Sequence, residues 1–162
     1  MSVAREFFAA TKLTNGRVLV TGGRDNLSNF LDSAELFNPK TDKFTSTGNL
    51  TSPRSFHAFV ILTGGKVLVV GGLTGSGVLS SADLYNPKTG KFSSTGGMSE
   101  AREDFEIVPL LSGVLIGGWP DDTAEIYKSG KFAPAGSMSE KRTCGAASAV
   151  TSAMSGIYLS CD

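Results

Sequence analysis

Few groups in this sequence are equipped for chemistry, and they are unevenly spread. His57 is the single histidine. An imidazole in a cleft would serve as a general base or a metal ligand. It stands at the third position after Arg54, and the same position after Arg5, Arg102 and Arg142 holds Phe8, Phe105 and Gly145. A slot shared by phenylalanine and histidine is a packing slot, so His57 is expected to be hydrogen-bonded in place and structural. Arg5, Arg54, Arg102 and Arg142 recur in step with Glu35, Asp83 and Glu125. One cation and one acid per unit suggest a buried pair tying strands together, within a unit or between units. Breaking such a pair costs about 3–5 kcal/mol. No unit adds a second acid at a matched position, so a carboxylate pair for acid–base work cannot be nominated. Cys144 and Cys161 are the only cysteines, too few for a four-cysteine zinc site. The neighbouring Asp121 and Asp122 are weak grounds for calcium. Neither metal nor cofactor is expected, and the chain reads as a non-enzyme.

The elements that position these groups repeat. Gly65-Lys66-Val67-Leu68-Val69-Val70-Gly71-Gly72 has an upstream copy, Gly16-Arg17-Val18-Leu19-Val20-Thr21-Gly22-Gly23, and a shortened one, Gly113-Val114-Leu115-Ile116-Gly117-Gly118. A short β-branched run between glycines is a buried strand. The double glycines Gly22-Gly23, Gly71-Gly72 and Gly117-Gly118 mark a tight turn or close backbone approach. Upstream of this strand, Thr14-Asn15-Gly16 and Thr63-Gly64-Gly65 predict hairpin turns, since Asn and Gly both tolerate positive φ. Downstream, Ser33-Ala34-Glu35-Leu36-Phe37-Asn38-Pro39 returns as Ser81-Ala82-Asp83-Leu84-Tyr85-Asn86-Pro87, then as Thr123-Ala124-Glu125-Ile126-Tyr127. A polar strand follows each: Lys43–Ser46, Lys91–Ser94 and Lys131–Pro134. Each unit thus holds four strands, a to d, at Phe56–Leu62, Lys66–Gly71, Ser81–Asn86 and Lys91–Thr95 in the second. Apolarity falls from a to d, which describes an antiparallel sheet buried at one edge and wet at the other. Stacking such sheets around an axis makes a β-propeller. Periods of 49, 48 and 40 residues separate the four arginines, giving repeats at about 5–53, 54–101 and 102–141 with a half-repeat at 142–162.

The order arginine, strand, Gly-Gly, Ala-Glu-Leu-Phe-Asn-Pro and then Gly-x-Met/Leu-Ser/Thr-x-x-Arg resembles the kelch repeat, in the form found in bacterial kelch and galactose-oxidase-like propellers. The resemblance covers nearly the whole chain and implies an all-β, partial kelch-type propeller. Because kelch rings usually have six or seven blades, it also implies part of a ring. The copper enzymes of this superfamily would require two histidines, two tyrosines and a cysteine linked to a tyrosine, and one histidine defeats that constellation.

In four-stranded antiparallel blades the b–c and d–a connections share a rim. The b–c loops vary while their strands hardly change: Arg24–Leu31, Leu73–Leu79 and Trp119–Asp122. Variable loops on a rigid scaffold carry function. Arg24, Asp25, Asn29, Phe30, Trp119, Asp121 and Asp122 are therefore the candidate binding residues. Phe30 and Trp119 either hold a partner or a sugar, or close over the blade top. The expected role is a binding or assembly module for a protein or carbohydrate. Two alternatives stand: a subunit of a kelch enzyme completed elsewhere, and a purely structural propeller fragment. Lysine plus arginine equal aspartate plus glutamate at 15 each, which argues against nucleic acid and anionic membrane as partners. Strands a and b of the half-repeat place Cys144 and Cys161 as cross-strand neighbours, either disulfide-bonded, with an oxidising compartment implied, or two buried thiols. Asn26-Leu27-Ser28 and Asn49-Leu50-Thr51 match the glycosylation tripeptide. Three and a half blades leave two apolar end faces, with residues such as Leu19 and Ile157, so the chain is expected to close a ring with another copy or a parent protein.

Overall fold

A computed structural model describes residues 1–138, together with two short strands at 146–148 and 158–160. Three four-stranded antiparallel sheets follow one another along the chain. The first is β1 (Ala9–Lys12), β2 (Val18–Thr21), β3 (Ala34–Asn38) and β4 (Lys43–Ser46). In the second, β5 (Ala58–Ile61) and β6 (Val67–Val70) are followed by a small ribbon, β7 (Leu73–Thr74) with β8 (Gly77–Val78), then β9 (Ala82–Asn86) and β10 (Lys91–Ser94). The third is β11 (Glu106–Leu110), β12 (Gly113–Gly117), β13 (Thr123–Lys128) and β14 (Lys131–Ser137). Each is a simple meander in the order a-b-c-d. Two further strands, β15 (Ala146–Ser148) and β16 (Tyr158–Ser160), pair antiparallel.

Strand limits follow backbone angles. The expected a strand from Phe56 begins instead at Ala58, because Phe56 has φ of 52° and cannot lie in a pleat. The ribbon β7–β8 turns an expected loop into a hairpin about Gly75-Ser76. In the a–b turn of the first blade only Gly16 takes positive φ. Asn15 contributes its side chain, whose oxygen accepts the Arg17 amide. The turn of the third blade is shorter, with Leu110 paired directly to Gly113 and Leu111 standing fully in solvent.

The hydrophobic cores lie between blades, and β6 shows why. All four of its side chains are buried. Val67 and Val69 pack with Leu13, Leu19, Leu36 and Leu50 of the first blade. Leu68 and Val70 pack with Phe105, Val114, Ile116 and Tyr127 of the third. Period-two alternation therefore serves two interfaces at once. The expectation that Leu19 lies on an open end face is corrected: it points into the first interface, among these residues, and is buried. Ile157 lies outside the described residues.

The open face of the first blade carries the register row Lys12, Val18, Phe37 and Phe44. Four residues of this blade differ from their repeat counterparts. Met1 is 50% exposed, whereas Leu50 and Met98 are 4% and 6% exposed. Phe8 is 40% exposed, and its counterparts His57 and Phe105 are each 8%. Phe37 replaces Tyr85 and Tyr127, whose hydroxyls meet Thr47 and Thr95 of the preceding blade at 3.0 and 2.9 Å. Lys12, exposed here, takes the place of Ile61.

Candidate functional site

The double glycines are joints between blades. Gly23 and Gly72 donate their amides to the carbonyls of Arg54 and Arg102 in the next blade, both at 2.8 Å. Gly72 has φ of 99°, and a Cβ there would stand 2.5 Å from the Ser55 carbonyl oxygen and 2.9 Å from His57 Cβ. Both the angle and the approach require glycine. Gly22 and Gly71 have φ near 60° and lie against the next blade's ring, His57 or Phe105. Gly117 differs, ending β12 without positive φ, while Gly118 takes 118°.

Beside these joints lie the arginines. Arg5 Nη1 donates to the carbonyls of Gly22 and Ser33, and Arg54 Nη1 to those of Gly71 and Ser81. Arg5 Nη2 is 3.2 Å from Glu35, and Arg54 Nη2 is 3.6 Å from Asp83, all with buried side chains. Burial lowers the Arg54 pKa and the Asp83 charge offsets part of this. Each acid is also capped by the segment entering strand a. Ser2 N donates to Glu35, Thr51 N and Oγ1 to Asp83, and Ser99 N to Glu125. In the third blade the expected pairing is corrected. Arg102 pairs with Asp121 at 3.1 Å, while Glu125 keeps only its cap from Ser99. The short loop after Gly118 brings Asp121 to the guanidinium first. Asp121 also accepts from Thr123 N and Oγ1. Burial opposes its ionisation, but the Thr123 and Arg102 bonds win and hold its pKa low. Asp121 is thus a structural acid rather than a rim ligand, and Asp122 stands beside it, half-buried. Arg142, Cys144 and Cys161 lie outside the described residues.

His57 Nε2 lies 2.8 Å from Thr21 Oγ1 in the preceding blade. Burial, then the charge of Arg54, pushes its pKa down to about 3, with the Arg54 backbone acting weakly the other way. The neutral imidazole fills the slot held by Phe105 one blade later, and Thr21 stands where that blade's partner has Val70.

On the rim, the loop residues Arg24, Asp25, Asn29 and Phe30 come together. Asp25 accepts from the amides of Leu27 and Asn29 and from Asn29 Nδ2, each at 2.9 Å. Those bonds, the Asn29 side chain foremost, lower its pKa. Asp25 and Asn29 therefore shape their own loop. The Arg24 guanidinium lies 4.4 Å from the Phe30 ring centroid, 5.6 Å from Phe56 and 5.8 Å from Phe7, and its Nε meets no acceptor. Phe7 and Phe56 stack at 4.3 Å. Phe7, Phe56 and Asp104 are the second residues after their arginines, all with φ of 50–52°. They are chained by amide–carbonyl bonds, Phe56 N to Phe7 O and Asp104 N to Phe56 O. Where the third ring of this ladder would stand is an aspartate. A cleft of about 310 Å³ opens there, lined by Phe56, Glu103, Asp104 and Trp119. Trp119 is 38% exposed. Sequence reasoning nominated Trp119 but missed Phe56, Glu103 and Asp104. The readable signal was the break in the series Phe7, Phe56, Asp104.

Net charge zero conceals a polarity across the disk. Every described lysine, from Lys12 to Lys131, sits at the end carrying the a–b and c–d turns, with Asp42 the one acid among them. Glu6, Asp25, Asp32, Glu100, Glu103 and Asp104 lie at the other end, with the cleft.

Meandering four-stranded sheets that bury both faces against their neighbours define the blades of a β-propeller. The Kelch motif family matches residues 10–51 and 53–99, and the chain belongs to the kelch family. Among solved structures it is similar to YjhT, described as "Structure of YjhT", with a TM-score of 0.69 at 14% identity. That match covers 83% of this chain and 53% of YjhT, so the chain spans about half the length of that protein. No curated protein sequence matches it.

Proposed function

We propose that this chain is a propeller segment that completes a ring with further blades and presents its b–c and d–a rim to a protein or carbohydrate. The further blades come from a second copy or from a longer parent chain. The exposure of Met1 and Phe8, against the burial of their counterparts Leu50, Met98, His57 and Phe105, carries this reading. A preceding blade would cover both, together with Phe37 and Phe44. Lys12 tempers that face without covering it. A binding role is favoured over catalysis because His57 is buried and neutral and the matched acids are held by arginines and amides. Light scattering of the purified chain tests closure. Concentration-dependent assembly lost in Phe8→Asp supports it; a dilute monodisperse monomer that melts cooperatively, and that captures no further blades supplied in trans, overturns it. For the rim, Trp119→Ala should weaken partner binding with the fold intact. A partner whose contacts all fall near Asn15 and Gly64 would refute that part.

A further inference from the structure

We propose that the cleft between Trp119 and Phe56 binds a cationic group, a guanidinium or ammonium carried on a partner's side chain. This rests on the rim being the binding face. The molecule supplies its own precedent one step around the ladder. There, the Arg24 guanidinium sits among Phe7, Phe30 and Phe56, with the Phe56 centroid 5.6 Å away. Phe56 is shared between that filled step and the open one. In the open step Leu73 takes the position of Arg24 after the double glycine, Asp104 takes that of Phe56, and Trp119 enters from the loop of the following blade. The endogenous cation is thus removed, an indole is added, and two carboxylates, Glu103 and Asp104, line the space.

Each change favours an incoming cation. Indole has the most negative ring face of the side chains, and a cation gains most over it when partly desolvated. The carboxylates supply charge-assisted hydrogen-bond acceptors that a neutral sugar would not need in that number. The cleft, at about 310 Å³, holds a guanidinium and its alkyl stem with room to spare. The acids on this rim, from Glu6 to Asp104, set a field that attracts positive charge and repels anions. A neutral sugar stacking on Trp119 can donate hydroxyls to Glu103 or Asp104 but gains nothing from their charge.

Trp119 is the only tryptophan, so intrinsic fluorescence reads this cleft directly. The probes are arginine amide, tetramethylammonium and methyl glucoside. Saturable changes with both cations are expected, weakening as salt rises, with little response to the glycoside. Glu103→Gln with Asp104→Asn should weaken cation binding ten-fold or more. Asparagine tolerates the positive φ at 104, and circular dichroism confirms that the variant is folded. A glycoside response that survives the double variant would overturn the cation assignment while leaving the rim as the binding face. Silence of Trp119 toward all three probes would overturn it as well. Loss of a partner's binding in Trp119→Ala would still stand as separate support for the rim.

Discussion

The buried hydrogen bond between His57 and Thr21 predicts how stability depends on pH. The unfolded imidazole has its ordinary pKa of 6.5 and the folded one about 3. Between these values the unfolded chain carries a proton that the folded chain refuses. Folding is therefore undisturbed above 6.5 and loses stability as pH falls toward 3. The slope climbs toward about 1.4 kcal/mol per pH unit below 6.5, so about 1.6 kcal/mol disappears between pH 6.5 and 5. Glu35 and Asp121 also lose stabilisation on acidification, since their pKa values are lowered from 4.5 and 3.8, but their windows lie below pH 5. The window from 6.5 to 5 is thus the histidine's own. The next interface supplies the control, with Phe105 and Val70 in the same positions. His57→Phe with Thr21→Val should fold and be flat across that window in urea denaturation. His57→Phe alone should cost about 1–3 kcal/mol, because it leaves the Thr21 hydroxyl buried and unpaired. Proton NMR of the single histidine provides a second readout. An imidazole titrating near 6.5, or equal slopes for wild type and the double variant, would refute the reasoning.

Gly72→Val should lower the melting temperature far more than Ser76→Val, because only the first meets backbone at 2.5 Å and a φ of 99°; the surface change should stay within about 0.5 kcal/mol. Asp83→Ala removes the acid opposite fully buried Arg54 and should cost about 3–5 kcal/mol in denaturant titrations. Asp121→Ala, at a side chain 27% exposed, should cost distinctly less. Tyr85→Phe deletes the interblade bond to Thr47 and should cost about 0.5–1.5 kcal/mol, nearly all of it recovered as coupling in a double-mutant cycle with Thr47→Ala.

The fold was legible because it repeats. Gly71-Gly72 and the run Val67–Val70 announce a strand bounded by glycine and buried on both faces, and the structure has it so. His57 was legible as a packing group because Phe8 and Phe105 share its position. Less was legible in the site. Nothing in the residue types of Phe7 and Phe56 signals positive φ, an angle held there by the bonds between successive blades. Arg102 chose Asp121 over Glu125 because the third b–c loop is short, and loop length fixes reach in a way that matched spacing cannot reveal. Even composition hid the separation of lysines from acids, since only the strand directions sort them to opposite ends. Leu19 was misplaced for a related reason: which face of a strand meets which neighbour depends on register across two blades.

At the two junctions among the described residues the blades meet through the same joints: a glycine amide on an arginine carbonyl, a ring beside a glycine and a threonine on a tyrosine. None of these joints reaches past its neighbour, so no described blade records how many others accompany it. Copying or deleting one whole 48- or 49-residue unit would keep the backbone joints, although loss of the second unit would set Phe105 against the Thr21 hydroxyl in place of His57. Blade number is then a property that a lineage can change in single steps. The Phe37 substitution marks a unit at which such a step would cost no interblade hydroxyl bond.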